Sequence, residues 1–346
     1  MKSERPKPLH YLCGRPMLMY VLDSLRVVDP DRAVIVVGHK AERVTRKISG
    51  AETALELEFV EQHVQRGTGD AVLVGLVGLP EDGEEDGDVL VVPGDAPLLR
   101  PETIAALVDR HRSHDVAATV LTARPADVTG YGRVVRGKED RIVRIVEQRD
   151  ATAEELAIGE INTSIYCFRR SVLAPALRRL EPDNSQGEYY LTDVIGVLSS
   201  AGYAVDSLVA DDAVEASGVN DRMQLAEAEA VLRRRTNELL ARNGVTMLDP
   251  ANTFVDTTVV VGRDVTLFPG TILQGDTVIG DGSEIGPNTR LVDCAVGSAC
   301  VVENSTGRQA TIGDRSVVGP YAVLVPGTKL ADGIVTGPFY NSGSEG

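Results

Sequence analysis

Short apolar runs alternate with amphipathic stretches over roughly the first two thirds of the chain. The apolar runs, which predict buried strands, occupy residues 33–37, 57–60, 89–92 and 116–122. The amphipathic stretches, which predict helices, occupy residues 40–48, 70–79 and 101–114. Apolar runs of this length that alternate with helices are typical of an α/β fold with a mainly parallel sheet. We therefore expect an α/β domain over residues 1–220, interrupted by a solvated acidic loop at 81–88.

The pattern changes after residue 220. Residues 221–243 are rich in Ala, Leu, Glu and Arg and predict a long helix within a linker at 221–250. An apolar residue then returns at every sixth position, in the series Val255, Val261, Leu267, Leu273, Ile279, Ile285 and Leu291. After a slip at 303–309 the series resumes at Ile312, Val318, Leu324 and Leu330. A fixed six-residue phase is the hexapeptide repeat of a left-handed parallel β-helix, and scattered strands of an ordinary β domain would not keep it.

The predicted β-helix is short. It covers residues 251–338, and a polar tail follows at 339–346. At three hexads to a triangular coil, the repeats predict about four coils. A solenoid of this length leaves its open end and flat faces in need of cover. Hexapeptide domains commonly obtain that cover by trimerising, so we expect a homotrimer.

The net charge limits the classes of binding partner that we expect. The chain carries 51 acidic and 35 basic residues, for a formal net charge of −16. Nucleic acid is therefore not an expected partner, because duplex binding requires clustered Lys and Arg. An acidic enzyme that handles phosphates must bring local cations or a metal ion to its site.

The cysteines and the hydropathy indicate a cellular compartment. The four cysteines form no C-x-x-C pair, which favours reduced thiols: Cys13, Cys167, Cys294 and Cys300. There is no signal-peptide pattern at residue 1 and no long apolar run that predicts a membrane span. We therefore expect a cytoplasmic protein without a membrane partner.

Several short motifs occur in a fixed order from residue 1 onwards. They are KPLH at 7–10, GRPM at 14–17, Gln62 with GTG at 67–69, GDAPL at 94–98, GYGR at 130–133, IVE at 145–147, EINT at 160–163, QGEYYLTD at 186–193 and GVN at 218–220. Together with the hexapeptide repeat they resemble the GlmU family. These bifunctional bacterial enzymes join an N-acetylglucosamine-1-phosphate uridylyltransferase to a glucosamine-1-phosphate acetyltransferase. The resemblance implies a Rossmann-like nucleotidyltransferase domain followed by a left-handed β-helix.

One motif points to a metal ion. Asp95 follows the apolar run 89–92, at the strand end where open α/β sheets place ligands. Read alone, Asp95 is better explained as a turn-forming residue before Ala96 and Pro97. In the family, however, the matching Asp binds Mg²⁺ together with an Asn, which is Asn220 here, and oxygen ligands suit Mg²⁺. Lys7 matches the family's lysine that approaches the nucleotide phosphates, so the resemblance makes it the catalytic cation.

Other motifs point to the two substrates. The resemblance assigns Gln62, Gly67 and Thr68 to the uracil base; the Gln62 amide offers a donor and an acceptor, and glycine permits close backbone approach. A Gly-Thr turn that caps a helix is the alternative for this loop. Gly94, beside Asp95, is also assigned to substrate binding.

The sugar is assigned to Gly132, Glu147 and Asn162, which could otherwise be a turn glycine, a surface carboxylate and a strand-edge amide. The family's Glu-Lys after this Glu is Gln148-Arg149 here, and its Gly after Asn-Thr is Ser164.

The implied reaction transfers UMP from UTP to N-acetylglucosamine-1-phosphate, giving UDP-N-acetylglucosamine and pyrophosphate for cell-wall precursors. Direct attack of the sugar-phosphate oxygen on the α-phosphorus needs no covalent intermediate. Positioning and charge neutralisation by Mg²⁺ and cations would carry the catalysis. The alternatives are a nucleotidyltransferase that makes a dTDP- or GDP-sugar, a sugar-nucleotide-binding subunit with impaired catalysis, and an acyltransferase that works through the β-helix.

The likeness departs from the family at both ends. Met1 falls on the methionine that ends the family's glycine-rich phosphate loop, so we expect an upstream in-frame segment that encodes a Val/Ile-rich strand and this loop with its catalytic Arg. Without such a segment, we expect a weakened or inactive protein.

All five histidines precede residue 115, and Val325 replaces the family's arginine in a Leu-Arg-Pro-Gly turn. We therefore do not expect acetyl transfer.

Overall fold

The computed structural model describes residues 1–38, 40–51, 53–79 and 87–344. The chain separates into two compact units. The first contains Met1–His10 and Pro16–Gln224, and the second contains Tyr11–Arg15 and Leu225–Gly346. The predicted acidic loop at 81–88 lies outside the described residues except for its last two positions. Among the described residues, no helix combines the length and the apolar character needed to span a membrane.

The first unit alternates helices and strands as its hydrophobic pattern predicts. Its helices are α1 Met17–Leu25, α2 Ala41–Ser49, α3 Thr68–Gly75, α4 Pro101–Ser113, α5 Ala153–Leu156, α6 Arg170–Leu177 and α7 Asp193–Ser200. The short strands β1 Tyr11–Leu12 and β2 Arg15–Pro16 pair with each other, and Tyr11–Arg15 belongs to the second unit. The remaining strands of this part are β3 Ala33–Val37, β4 Leu57–Glu61, β5 Asp88–Val91, β6 Ala118–Ala123, β7 Arg133–Arg136, β8 Ile142–Val146, β9 Ile161–Arg169 and β10 Val205–Val209. Every predicted strand and helix of the first 220 residues is thus present, with its ends shifted by a few residues.

The main sheet is mixed, so the expectation of a mainly parallel sheet is wrong. Its strand order is β10-β6-β9-β7-β8, and β5 pairs with β9 outside that path. Only β10 and β6 run parallel; β9 runs antiparallel to β5, β6 and β7, and β7 runs antiparallel to β8. The short connection between β7 and β8 allows a hairpin, whereas parallel neighbours require a long crossover. A separate parallel pair is formed by β3 and β4.

The core of the first unit is mainly aliphatic, as the low aromatic content implies. Aliphatic side chains from the main sheet, α6 and α7 form one cluster around the buried rings of Tyr166 and Phe168. The two rings stack with their centroids 5.3 Å apart. A second cluster joins α4 to the opposite side of β6 and β9. Buried on both faces, the sheet gives the loops at its strand ends a rigid base.

The second unit is a parallel β-solenoid with a left-handed coil. Helix α8, Arg222–Arg242, precedes its first strand in the chain. Its strands are β11 Thr246–Met247, β12 Phe254–Val255, β13 Val260–Val261, β14 Thr266–Leu267, β15 Ile272–Gln274, β16 Val278–Ile279, β17 Glu284–Ile285, β18 Arg290–Val292, β19 Ala295–Val296, β20 Val301–Val302, β21 Thr306–Arg308, β22 Thr311–Ile312, β23 Val317–Val318, β24 Val323–Leu324 and β25 Lys329–Leu330. Every third strand pairs in parallel, which produces three flat sheets of five strands each. The predicted β-helix is confirmed.

The coil count and the slip in the repeat differ from the sequence-based expectation. Five strands per sheet make five coils rather than four, because the counted series omits β11 and the three strands within the slip, β19, β20 and β21. Leu273 pairs with Leu291, 18 residues later, but Leu291 pairs with Gly307, only 16 residues later. The coil between them is therefore tighter, and its inward positions are held by Val296, Val302 and Gly307, without a break in the sheets.

Shortening an inward residue of the solenoid should destabilise the second unit. Leu291 is fully buried in the column that β15, β18 and β21 share. We expect Leu291→Ala to lower the free energy of unfolding by about 2–5 kcal/mol, because it leaves a cavity that neighbouring coils cannot close. Urea unfolding followed by circular dichroism measures this, with the exposed Leu248→Ala as control. Equal losses in the two variants would contradict the assignment of inward positions.

Candidate functional site

The predicted metal and phosphate residues lie together. The Lys7 Nζ donates to Asp95 Oδ2 in a close ion pair and to Asn220 Oδ1 at 2.7 Å. All three side chains are in the first unit and are reached from solvent. An ammonium group thus occupies the space between a carboxylate and an amide oxygen, which marks that space as one that favours a positive charge.

Local structure explains how three distant residues meet. Asp95 follows β5 near its carboxyl end, and its backbone oxygen accepts from the Val219 N at 2.9 Å. That bond places the next residue, Asn220, beside the Asp95 side chain. Lys7 begins a 3₁₀ turn, Lys7–Leu9, that starts after Pro6 and buries Leu9 in the core. The buried leucine and the fixed proline backbone orient the turn so that Lys7 faces the strand end.

The loop predicted to read the base is folded against itself. Gln62 follows β4, is 8% exposed, and its backbone N donates to the Val37 oxygen. Its side-chain Nε2 donates to Asp70 Oδ2 at 2.7 Å and to the Gly67 oxygen at 3.3 Å. The amide is therefore held in one orientation by groups of its own loop, at the start of α3.

Gly67 and Thr68 attach this loop to the segment 188–192. Gly67 has a φ of +116°, and a Cβ there would come within 2.5 Å of the Tyr189 oxygen. The Tyr189 N donates to the Arg66 oxygen at 2.8 Å, and the Leu191 N donates to Thr68 Oγ1 at 3.0 Å. Only glycine fits at position 67, because the conformation excludes a side chain and the neighbouring backbone fills the space.

The same segment reaches the predicted sugar residues. Thr192 Oγ1 donates to Glu147 Oε1 at 3.2 Å. Burial raises the pKa of Glu147, and the nearby Asp193 and Asp150 add to that rise against the opposing Thr192 bond. Burial, together with Asp150, also raises the pKa of Asp193. Three carboxyl groups thus share a region with little positive charge to offset them, a pattern common at binding sites.

Gly132 and Asn162 lie next to each other in the sheet. The Asn162 N donates to the Gly132 oxygen at 2.9 Å, and a Cβ on Gly132 would lie 3.6 Å from the Glu147 carboxyl carbon. The Asn162 side chain is 3% exposed; its Nδ2 donates to Tyr166 Oη at 2.8 Å and its Oδ1 accepts from the Ser164 N at 3.2 Å. In this conformation its polar atoms are engaged within β9.

The remaining predicted residue, Gly94, lies directly before Asp95, and a Cβ on it would lie 3.4 Å from Leu18 Cδ1. The structure also adds residues that were not singled out. Thr192, Asp193 and Tyr189 belong to the motif at 186–193, which was recognised only as a whole. A run of aromatic and polar residues that leads into the start of α7 was the available signal, whereas the contacts with Glu147 and Gly67 required the fold.

Comparison with known proteins agrees with both units. Residues 1–195 match the MobA-like NTP transferase domain, and residues 258–292 match the bacterial transferase hexapeptide (six repeats). The "Bifunctional protein GlmU" of Streptomyces avermitilis is 46% identical over 333 residues, which cover 95% of this chain and 68% of the relative. Those of Mycolicibacterium vanbaalenii and Pelotomaculum thermopropionicum are each 46% identical, cover 98% of this chain, and are themselves covered to 69% and 72%.

The fold, the strand-end site and these matches define a nucleotidyltransferase joined to a hexapeptide β-helix. More specifically, the chain belongs to the GlmU family. The resemblance inferred from the sequence motifs is thereby confirmed, as is the prediction of a nucleotidyltransferase of UDP-N-acetylglucosamine synthesis.

Substituting Gly67 tests the loop. Gly67→Ala places a Cβ against the Tyr189 backbone, so the loop must move and take Gln62 with it. We expect the KM for the nucleoside triphosphate to rise about tenfold or more, a cost of the size of one lost hydrogen bond. Gly202→Ala is the matched control, because Gly202 also has a positive φ, +84°, but its Cβ would meet nothing within 4 Å. A similar KM in both variants would contradict a role for the loop in binding.

Glu147 should show opposite effects on stability and binding. Because its pKa is raised in the folded protein, the folded state keeps a proton that the unfolded chain has already released. Wild-type stability therefore falls as pH rises from about 4.3, the unfolded value, through the folded pKa. The uncharged Glu147→Gln avoids this loss, so we expect it to be more stable than the wild type at neutral pH and equal to it at low pH.

The same variant should bind the sugar phosphate more weakly, by about tenfold or more, if Glu147 accepts hydrogen bonds from sugar hydroxyls. Thermal unfolding as a function of pH and the KM for the sugar phosphate measure the two effects. The exposed Glu154→Gln provides the control. A variant that is less stable than the wild type at neutral pH would refute the explanation by burial.

Proposed function

We propose that the first unit transfers UMP from UTP to N-acetylglucosamine-1-phosphate, with Mg²⁺, to form UDP-N-acetylglucosamine and pyrophosphate. The observation that carries the proposal is the Lys7 ammonium between Asp95 and Asn220. A formal net charge of −16 would repel a triphosphate, so the chain must offer a local cation where the phosphates bind.

The donor groups fit a magnesium ion. Asp95 and Asn220 present a carboxylate and an amide oxygen, and Mg²⁺ prefers one or two such protein ligands with the rest from phosphates and water. The Lys7 ammonium stands in for a cation at these oxygens, which supports the fit independently of any relative. When bound, Mg²⁺ would supply charge neutralisation at the phosphates. Asp95 and Asn220 would hold it, and Lys7 would add a second positive charge.

The reaction is a direct displacement. An oxygen of the sugar phosphate forms a bond to the α-phosphorus of UTP, and the bond from that phosphorus to the leaving pyrophosphate breaks. No side chain forms a covalent bond, so the protein contributes alignment and electrostatic stabilisation. Lys7 interacts with the phosphate charge, and the loops fix the direction of approach.

The two organic groups are recognised by loops that share one support. Gln62, Gly67 and Thr68 would contact the base, and Gly94 would allow the nucleotide to lie close to the strand end. Gly132, Glu147 and Asn162 would line the sugar site, where Asn162 must exchange its bond to Tyr166 for one to the ligand. Because segment 188–192 contacts both loops, binding of one group would order the site for the other.

The second unit would assemble the enzyme. We include in the proposal a cytoplasmic homotrimer formed through the β-helix. Its flat faces expose several apolar side chains: Val260, Val278, Val317 and Val323. Such side chains on a short solenoid are suited to burial against other copies.

Removing the carboxylate tests the proposed chemistry. We expect Asp95→Asn to lower kcat for pyrophosphate release about 100-fold or more, because a charged group at the phosphates is lost. The exposed Asp109→Asn should retain wild-type activity. The assay offers the five common nucleoside triphosphates with N-acetylglucosamine-1-phosphate and with glucose-1-phosphate, with and without Mg²⁺.

The results separate the alternatives. A preference for dTTP or GTP would replace the proposed specificity, and binding without pyrophosphate release would indicate a binding subunit. Activity that does not depend on a divalent ion would refute the metal site.

Acetyl transfer is expected to be absent from this chain. The residues of the β-helix include no histidine to serve as a base, and Val325 occupies the position of a family arginine. Incubation with acetyl-CoA and glucosamine-1-phosphate should therefore release no coenzyme A above the level of a protein-free control. Turnover that scales with protein concentration would contradict this expectation.

A further inference from the structure

Three side chains with metal-binding atoms meet in the first unit, away from the proposed reaction site. Asp88 is the first residue of β5, His111 lies in the last turn of α4, and Cys167 lies near the end of β9. One ligand atom from each lies within 4.8 Å of the other two. His111 is 3% exposed and Cys167 is fully buried, whereas Asp88 reaches the surface.

The groups around this cluster hold its ligand atoms in place. His111 Nδ1 lies 3.0 Å from Thr119 Oγ1, and the Arg112 Nε donates to Asp88 Oδ2 at 2.8 Å. These contacts engage His111 Nδ1 and Asp88 Oδ2, which are the atoms that do not face the cluster. The other atom of each pair, His111 Nε2 and Asp88 Oδ1, faces the cluster. These two atoms lie 3.4 Å apart, near the Cys167 thiol. Outer partners of this kind orient the ligands of protein metal sites.

We propose that Asp88, His111 and Cys167 bind a divalent transition-metal ion with the coordination preferences of zinc. Sulfur, imidazole nitrogen and carboxylate oxygen form a ligand set typical of zinc, and a thiolate disfavours Mg²⁺ and Ca²⁺. In a tetrahedral zinc site, bonds of about 2.0–2.3 Å place neighbouring ligand atoms about 3.3–3.7 Å apart. The His111–Asp88 distance already falls in that range, and the sulfur needs a shift of only about 1 Å to join them.

Charge balance supports a divalent ion. Binding releases the thiol proton of Cys167 to solvent, so a thiolate and a carboxylate together offset two positive charges. The fourth position is left for water, which the surface side of Asp88 admits. Arg112, which donates to Asp88, lies on the surface side of the cluster, so its positive charge faces solvent and not the two buried ligands.

The position indicates a structural role. Asp88 begins β5, while Asp95 follows the carboxyl end of the same strand, so the two sites lie at opposite ends of it. A bound ion would join α4 to β5 and β9. The strand that leads to Asp95 would then be anchored at its start.

The test uses the whole chain, stripped of metal by a chelator and returned to buffer with excess Mg²⁺, which occupies oxygen-rich sites. Cobalt(II) is then titrated as a probe, because a thiolate ligand gives it an intense charge-transfer absorption in the near ultraviolet. We expect this absorption to saturate at one equivalent per chain and to disappear when zinc displaces cobalt. Wild-type protein that shows no such absorption at stoichiometric cobalt would overturn the proposal.

Variants identify the ligands. Cys167→Ser should abolish the absorption, and Cys300→Ser should retain it, because Cys300 is equally buried but lies in the β-helix. Asp88→Asn should weaken binding about tenfold or more. Equal absorption in wild type and Cys167→Ser would mean that another thiol binds the ion.

The thermal stability of the protein provides an independent test of zinc binding. Zinc should raise the Tm of the wild type, since an ion that binds only the folded state stabilises it. The rise should be smaller in Asp88→Asn, which keeps the size of a side chain that reaches the surface and lies outside the apolar core, so this variant decides the question even if Cys167→Ser does not fold. An unchanged Tm in the wild type would leave an ordinary His111–Asp88 hydrogen bond beside a buried thiol, and the proposal would fail.

Discussion

The site depends on one electrostatic constraint: a strongly acidic chain has to present positive charge to a ligand that is itself highly negative. The structure meets it where β5 ends, with the Lys7 ammonium between Asp95 and Asn220. The lysine offsets the carboxylate, and the carboxylate keeps the lysine at the strand end. A cation that enters this space must compete with Lys7 for the same oxygens. Metal binding and release of Lys7 towards the phosphates would therefore be linked.

A second dependence runs through segment 188–192. Its backbone forms hydrogen bonds with the backbone of the Gly67 loop and donates one to the Thr68 hydroxyl. Its Thr192 hydroxyl donates to Glu147. Two loops that are distant in the chain, those of Thr68 and Glu147, thus share one support. The segment ends at the start of α7, whose apolar side chains are buried against the sheet. Rigidity of the core is in this way transmitted to both substrate loops, and recognition of base and sugar cannot be separated from packing.

Much of this could be predicted from the sequence, and the failures have physical causes. The six-residue phase predicted the inward column of the β-helix because each repeat returns one large apolar side chain to the axis, while the smaller residue buried two positions earlier, such as Thr271 or Cys300, has no common apolar character. Asp95 and Asn220 were paired by resemblance, and Lys7 was recognised as the needed cation. The mixed sheet was missed, since an apolar run does not specify the direction of its neighbours. The fifth coil was missed as well, because Met247, Val296, Val302 and Gly307 lie out of phase with the six-residue series. The internal bonds of Asn162 required its neighbours in three dimensions.

Local cost is concentrated around the proposed sugar site. Ser164 adopts a φ of +62° at a position where the family has glycine. Its backbone N–H donates to Asn162 Oδ1, which offsets part of the cost of that conformation. Glu147 and Asp193 lose solvation, and their raised pKa values record that loss. In the β-helix the buried hydroxyls of Thr271, Thr289 and Ser316 instead donate to backbone oxygens of the same or the next coil. A solenoid that serves for assembly can satisfy its polar groups internally. A site that must exchange them for those of a ligand has to leave some poorly satisfied until the ligand arrives.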